Sequence, residues 1–104
     1  MKEARSRASE KIASRIRDLR YRSKLSRKLL AERADMDTSH LARIEAGQGN
    51  PTVETLIQLA TALDVNVEYF VSGLSAADLP ADVRPYSEAD FRRALRGQDR
   101  AASA

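Results

Sequence analysis

LSRKLLAERADMDTSHLARIEAG, residues 25–47, is the stretch whose reading decides the fold. It divides into two short helices around a tight turn. Ser26 is placed to cap the exposed amides of the first, Leu29, Leu30, Ala31 and Ala34 give it a buried side, and it should stop near Asp35. Asp37 is a suitable N-cap for the second, residues 38–46, in which Leu41 and Ile44 face inward beneath Met36. Gly47 then ends it as the C′ residue.

Upstream, Ile12, Ile16 and Leu19 recur at i, i+4 and i+7 and form one apolar stripe on a helix of about residues 9–22, capped by Ser9. Arg15, Arg17, Arg20 and Arg22 fall largely off that stripe. Downstream, Asn50-Pro51 breaks the chain and Thr52 caps a fourth helix. Its Val53, Leu56, Ile57, Leu59, Ala60 and Leu63 are apolar around too much of the circumference for an exposed helix, so it is expected at the centre of the core. Asn66 caps a short fifth helix, residues 67–72, closed by Gly73. Residues 74–85 read as a linker, and Tyr86 and Phe91 stand at the spacing of a hydrophobic staple around an N-cap at Ser87. That predicts a helix over 88–96, stopped by Gly97, with a frayed alanine-rich end. No internal repeat and no strand pattern is evident.

At 104 residues the chain is one domain by length, with 42% hydrophobic and 32% charged residues. Only 5% are aromatic, so the core is aliphatic and modest. The absence of cysteine excludes disulfides, thiolate nucleophiles and sulfur-ligated zinc, and suits a reducing cytoplasm. No apolar run approaches the roughly 20 residues of a membrane span, and the polar start MKEARSRASEK is no signal peptide. The net charge of +3 conceals an asymmetry. Residues 1–33 hold twelve Lys/Arg against four Asp/Glu, and the remaining 71 hold six against eleven. A basic half beside an acidic one fits a nucleic-acid face, although a solvated charged helix would leave the same mark.

The two helices around Ala34-Asp35-Met36-Asp37 have the parts of a helix-turn-helix, whose second member enters the major groove. From Ile12 to Gly73 the strings IASRIRDLR, LSRKLLAERA, MDTSHLARIEAG, NPTVETLIQLATALDV and NVEYFVSG are similar, in order and spacing, to the lambda-repressor-like, XRE-type regulators. The resemblance implies an all-α fold, a five-helix DNA-binding domain over 9–73. Outside it stand a basic start over 1–8, whose Lys2, Arg5 and Arg7, with Lys11, read equally as an arm along DNA, an extended first helix turned to phosphates or a loose solubilising tail, and an appendage of linker, short helix and tail over 74–104. Asp35 stands where that family most often has glycine in left-handed backbone, a conformation that Asp tolerates better than most residues.

The same resemblance implies roles for individual residues. Arg20 and Glu45 match a partly buried salt bridge that fixes the recognition helix to the scaffold. Thr38, Ser39, Ala42 and Arg43 match positions that reach base edges, and Arg43 has the fork that suits guanine O6 and N7. Ser26, Arg27, His40, Gln48, Gly49, Asn50 and Thr52 are expected along the DNA backbone, several through main-chain amides. Arg27 replaces a frequent glutamine, which keeps a phosphate contact and puts bracing of the recognition helix in doubt. Tyr69, Val71 and Leu74 form the expected dimer patch, while Phe70 and Val67 close the core.

The implied protein is a regulator, most simply a repressor, that binds a palindromic operator on double-stranded DNA as a homodimer. An antitoxin whose residues 74–97 hold a toxin, or a restriction–modification controller, are the alternatives. No enzyme is indicated, since there is no phosphate-cradling glycine loop, no thiol, a single histidine and no carboxylate pair that the pattern sets in a cleft. His40 has no partner at ligand spacing, so neither a metal nor a cofactor is expected.

Overall fold

The computed structural model describes residues 3–103, with side chains over residues 3–97. Six α-helices follow one another: α1 Arg7–Arg22, α2 Arg27–Arg33, α3 Thr38–Glu45, α4 Val53–Ala62, α5 Glu68–Val71 and α6 Glu88–Ser103. A 3₁₀ turn, Ala76–Asp78, lies between α5 and α6, and no strand occurs among the described residues. The fold class is therefore all-α.

The helices start where short polar side chains can satisfy free amides. Ser26 Oγ accepts from the Leu29 amide at 3.0 Å, and Thr52 Oγ1 from Thr55 at 3.1 Å. For α1 the cap is Ser6, whose Oγ accepts from the Ser9 amide, and not Ser9, which is buried inside the first turn. Periodicity missed this extra half turn because Ala8 and Arg7 precede the apolar stripe. Asp37 occupies the N-cap position of α3 without a side-chain bond to the helix. The fifth helix is one turn, Glu68–Val71, and its lead-in is held by the main chain, with the Tyr69 amide donating to the Asn66 carbonyl.

Four helix ends share one geometry. Lys24, Asp35, Gly47 and Asp64 have φ of 56°, 55°, 75° and 55°, and each follows the end of α1, α2, α3 and α4 in turn. In each case the next amide reaches back five residues: Leu25 to Arg20, Met36 to Ala31, Gln48 to Arg43 and Val65 to Ala60. This is the Schellman arrangement, and Leu25, Met36 and Val65 follow it with an apolar contact against the core. Asp35 thus has the left-handed backbone expected of it.

One aliphatic cluster holds α1 to α5 together. Ile12 and Ile16 of α1 meet Leu30 and Ala31 of α2, Leu41 and Ile44 of α3, Leu56, Leu59 and Ala60 of α4, and Phe70 of α5. Helix α1 packs on α3 and α5, and α2 packs on α3 and α4. The small Ala31, fully buried, lets α2 and α3 cross closely. Val53 and Ile57 of α4 are exposed, so that helix is buried along one side and not all round.

Beyond α5 the structure departs from the sequence expectation in three places. Residues 74–85 are not simply a linker: Asp78 is buried, and its carboxylate receives Lys11 Nζ of α1 at 2.8 Å and the Ser75 amide at 3.0 Å. Helix α6 runs on through Gly97 to Ser103, because an exposed helical glycine costs only about 1 kcal/mol and Gln, Arg and Ala continue it well. The staple does not shield its members: Tyr86 is 68% and Phe91 55% exposed. The start of α6 rests instead on a reciprocal cap, Ser87 Oγ accepting from the Asp90 amide and Asp90 Oδ2 from the Ser87 amide.

Candidate nucleic-acid interface

Helix α3 has two faces with different tasks. Leu41, Ile44 and Glu45 are buried against the scaffold, while Thr38, Ser39, His40 and Arg43 are exposed and Ala42 is half-buried. The four residues expected at base edges therefore lie together on the free side. The Arg43 guanidinium has no hydrogen-bond partner among the described residues, so all five of its donors are available.

Glu45 is where three arginines converge. Arg20 Nε and Nη2 donate to its two carboxylate oxygens at 2.8 and 2.9 Å, and Arg20 Nη1 reaches the Leu25 carbonyl at 3.1 Å. Hydrogen bonding to Glu45 raises the Arg20 pKa above its ordinary value and outweighs the opposing effect of burial. Arg27 Nε of α2 approaches Glu45 Oε1 at 3.3 Å, and Arg17 Nη1 donates to the Glu45 main-chain carbonyl at the exposed end of α3. With the pair at 8% and 1% side-chain exposure, the expected salt bridge is well shielded. Arg27, expected on a phosphate with its bracing role in doubt, does brace: its head is tied to Glu45 while its side chain remains 44% exposed.

The residues expected along the DNA backbone divide by what already occupies them. Ser26 and Thr52 spend their hydroxyls capping α2 and α4. The amides of Gln48 and Gly49 both turn inward to the Arg43 carbonyl, at 3.0 and 3.3 Å, so they are not offered to an outside oxygen as the sequence reading supposed. Gly49 earns its place by proximity, since a Cβ there would lie 3.3 Å from Ile44 Cγ1. Asn50 and His40 are exposed. Among the described residues no three His, Cys, Asp or Glu side chains cluster as a metal site would require.

Two bracing groups escaped the sequence reading. Gln58 Nε2 of α4 donates to the Ala34 and Asp35 carbonyls at 2.9 and 3.2 Å and so fixes the turn between α2 and α3. Arg15 Nη1 donates to the Phe70 carbonyl at 2.9 Å and ties α1 to α5. Neither has a local signal, because each partner is a distant main-chain oxygen. Of the expected dimer patch, Tyr69 and Val71 are exposed on α5, whereas Leu74 is half-buried against the core. A shallow groove lined by Arg15, Thr61, Asp64 and Tyr69 adjoins them. No helix among the described residues is long and apolar enough to cross a membrane.

Comparison with known proteins agrees with this geometry. A Helix-turn-helix family model, HTH_3, matches residues 16–70. An uncharacterized HTH-type transcriptional regulator of Rickettsia conorii is 38% identical over 72 residues, which cover 69% of this chain and 58% of the relative. The chain thus spans somewhat over half the length of that relative. The restriction-modification controller protein C.AhdI of Aeromonas hydrophila superposes with a TM-score of 0.59 at 34% identity, covering 60% of this chain and 94% of that one. SinR of Bacillus subtilis, a master regulator for biofilm formation solved in complex with DNA, gives 0.57 at 34% identity, covering 59% and 98%.

Proposed function

The chain belongs to the helix-turn-helix family HTH_3, and from that premise we propose that it is a sequence-specific DNA-binding regulator of transcription that reads double-stranded DNA with α3. One observation carries the reading: α3 is clamped from behind by Arg17, Arg20 and Arg27 at Glu45, while Thr38, Ser39 and Arg43 stand free on its outer side. A rigidly held helix with an unpaired guanidinium can discriminate bases, because its donors need no rearrangement on docking. Ala42 joins these three at the base edges. Arg27, His40, Asn50, the Gln48 side chain and the hydroxyl protons of Ser26 and Thr52 face the phosphates around them, while Gly49 keeps the turn close against α3.

In this reading residues 9–73 are the DNA-binding unit, residues 74–104 an appendage, and the protein works in the cytoplasm. It acts as a homodimer on a palindromic operator, with Tyr69 and Val71 at the two-fold contact and Leu74 behind them, and represses by occupying the site. One short recognition helix spans too few base pairs for useful specificity, which is the argument for two. The likeness to a controller protein keeps control of a restriction–modification locus as a variant of the same activity. The exposed Phe91 and Leu95 of α6 leave room for a second role, capture of a toxin or another protein partner.

Selection of binding sites from random duplex DNA, followed by footprinting, tests the reading. A sequence with two inverted half-sites, centres about 34 Å apart, is the expected product. Failure to enrich any sequence over random duplex would overturn it.

A further inference from the structure

The basic start of the chain is not a loose tail where the structure describes it. The Arg5 amide donates to the Gly47 carbonyl at 2.8 Å, and Gln48 Nε2 reaches the Glu3 carbonyl at 3.4 Å. Ala4 is half-buried between them, and Ser6 then caps α1. Residues 3–6 therefore run alongside the turn that closes the recognition helix. Gly47 is needed there twice over: its φ is +75°, and a Cβ on it would lie 2.9 Å from Ala4 Cβ. Any side chain at 47 would push the arm away from the turn.

The main-chain tie leaves the Arg5 side chain free among the described residues. Arg5 is exposed and its guanidinium has no partner among the described residues, whereas Arg7 lies in the field of the buried Asp78 carboxylate. Lys2, the other basic residue of the arm, lies outside the described residues. Arg5 is thus carried by backbone that is fixed to Gly47, while Gln48 holds the neighbouring Glu3 carbonyl.

We propose that Arg5 is a phosphate-binding residue of the DNA interface, held ready by the docking of residues 3–6 on the Gly47 turn. This rests on the reading of α3 as the recognition helix. A guanidinium on fixed backbone binds a phosphate without first ordering a flexible tail, so the contact adds affinity at small entropic cost. Its place beyond the end of α3, beside the residues assigned to the sugar–phosphate chain, makes the contact one of position and not of sequence.

Three measurements on the full chain test it. Arg5→Ala should weaken binding to the selected operator and to unrelated duplex by the same factor, with the slope of log affinity against log salt falling by about one unit. In the same terms, the ratio of wild-type to variant affinity should fall about 3.5-fold between 50 and 200 mM salt. Arg5→Lys should restore the slope, since an ammonium also binds phosphate. In the free protein the Arg5 amide should exchange with solvent far more slowly than an unprotected one. An unchanged slope in Arg5→Ala, a change in preferred sequence, or unprotected exchange of that amide would each overturn the proposal while leaving the reading of α3 intact. A wild-type chain that binds no duplex would overturn both.

Discussion

Arg20 on α1 and Glu45 at the end of α3 form a bidentate pair, Nε to Oε2 at 2.8 Å and Nη2 to Oε1 at 2.9 Å, across 25 residues of sequence. Removing one partner of a buried pair costs about 3–5 kcal/mol, because the remaining charge keeps its desolvation penalty. Arg27 also reaches Glu45 Oε1, so Arg20→Ala is expected at the lower end of that range. Arg22, exposed at the end of the same helix, should tolerate alanine within about 0.5 kcal/mol. Thermal melts of the two variants decide it, and equal small shifts would show that the pair contributes no more than a surface one.

Arg43→Ala should cost about 1–3 kcal/mol on the preferred operator and much less on unrelated duplex, because phosphate contacts survive the change. The guanidinium is free in this structure, so the variant leaves folding unaffected. Titration against single-base variants of the selected site should show relaxed preference at one guanine in each half-site. A uniform loss on every sequence would make Arg43 a phosphate contact.

The Lys11–Asp78 pair gives the fold a dependence on acid. Hydrogen bonds from Lys11 and from the Ser75 amide lower the Asp78 pKa below its ordinary 3.8. A carboxylate with a depressed folded-state pKa contributes stability that is complete above the unfolded value and is lost as pH falls through the folded one. Wild type should therefore lose melting temperature between about pH 5 and the lowered pKa, and Asp78→Asn should show a smaller loss over that window. Truncation after Gly73 removes Asp78 and should lower the melting temperature at neutral pH, whereas truncation after Pro80 should not. Identical melts for the two truncations would mean that the buried carboxylate adds nothing.

Gly97 sits inside α6 with nothing within 4 Å of the position a Cβ would take. Gly97→Ala should therefore raise helix content by far-UV circular dichroism, worth up to about 1 kcal/mol for that helix. The melting of residues 7–71 should not move. A loss of helicity would mean that the backbone at 97 is not helical in solution.

The cluster of α1–α5 was legible because its apolar residues recur at helical spacing and Ser26, Thr52 and Gly47 punctuate it, each a local property of the chain. The left-handed backbone at Asp35 was legible only through the family resemblance, which places a glycine there. Groups joined across the fold were not. Asp78 meets Lys11 67 residues away, and Ser-Ala-Ala-Asp has the same composition whether it is a loop or a capped 3₁₀ turn. Arg27 could be placed at the start of α2, but its tie to Glu45 depends on the angle at which α2 crosses α3, which no local pattern encodes. The arm was legible as charge alone, since nothing in Glu3-Ala-Arg-Ser6 announces that Gly47 has room for it.

The left-handed stops at Lys24, Asp35 and Asp64 mean that three of the turns in this domain are held in a conformation that strains an L-residue, by roughly 1–2 kcal/mol for Lys24 and by less for the two aspartates. Each stop nevertheless keeps a charged side chain on the surface, where glycine would present none. The fold thus carries an unused reserve. Glycine at these positions would relieve the strain, less the roughly 0.5–1 kcal/mol of extra chain freedom it returns to the unfolded state. An engineer seeking a hardier version of the domain could look to its corners before its core, and a lineage drifting toward heat would find the same three places open.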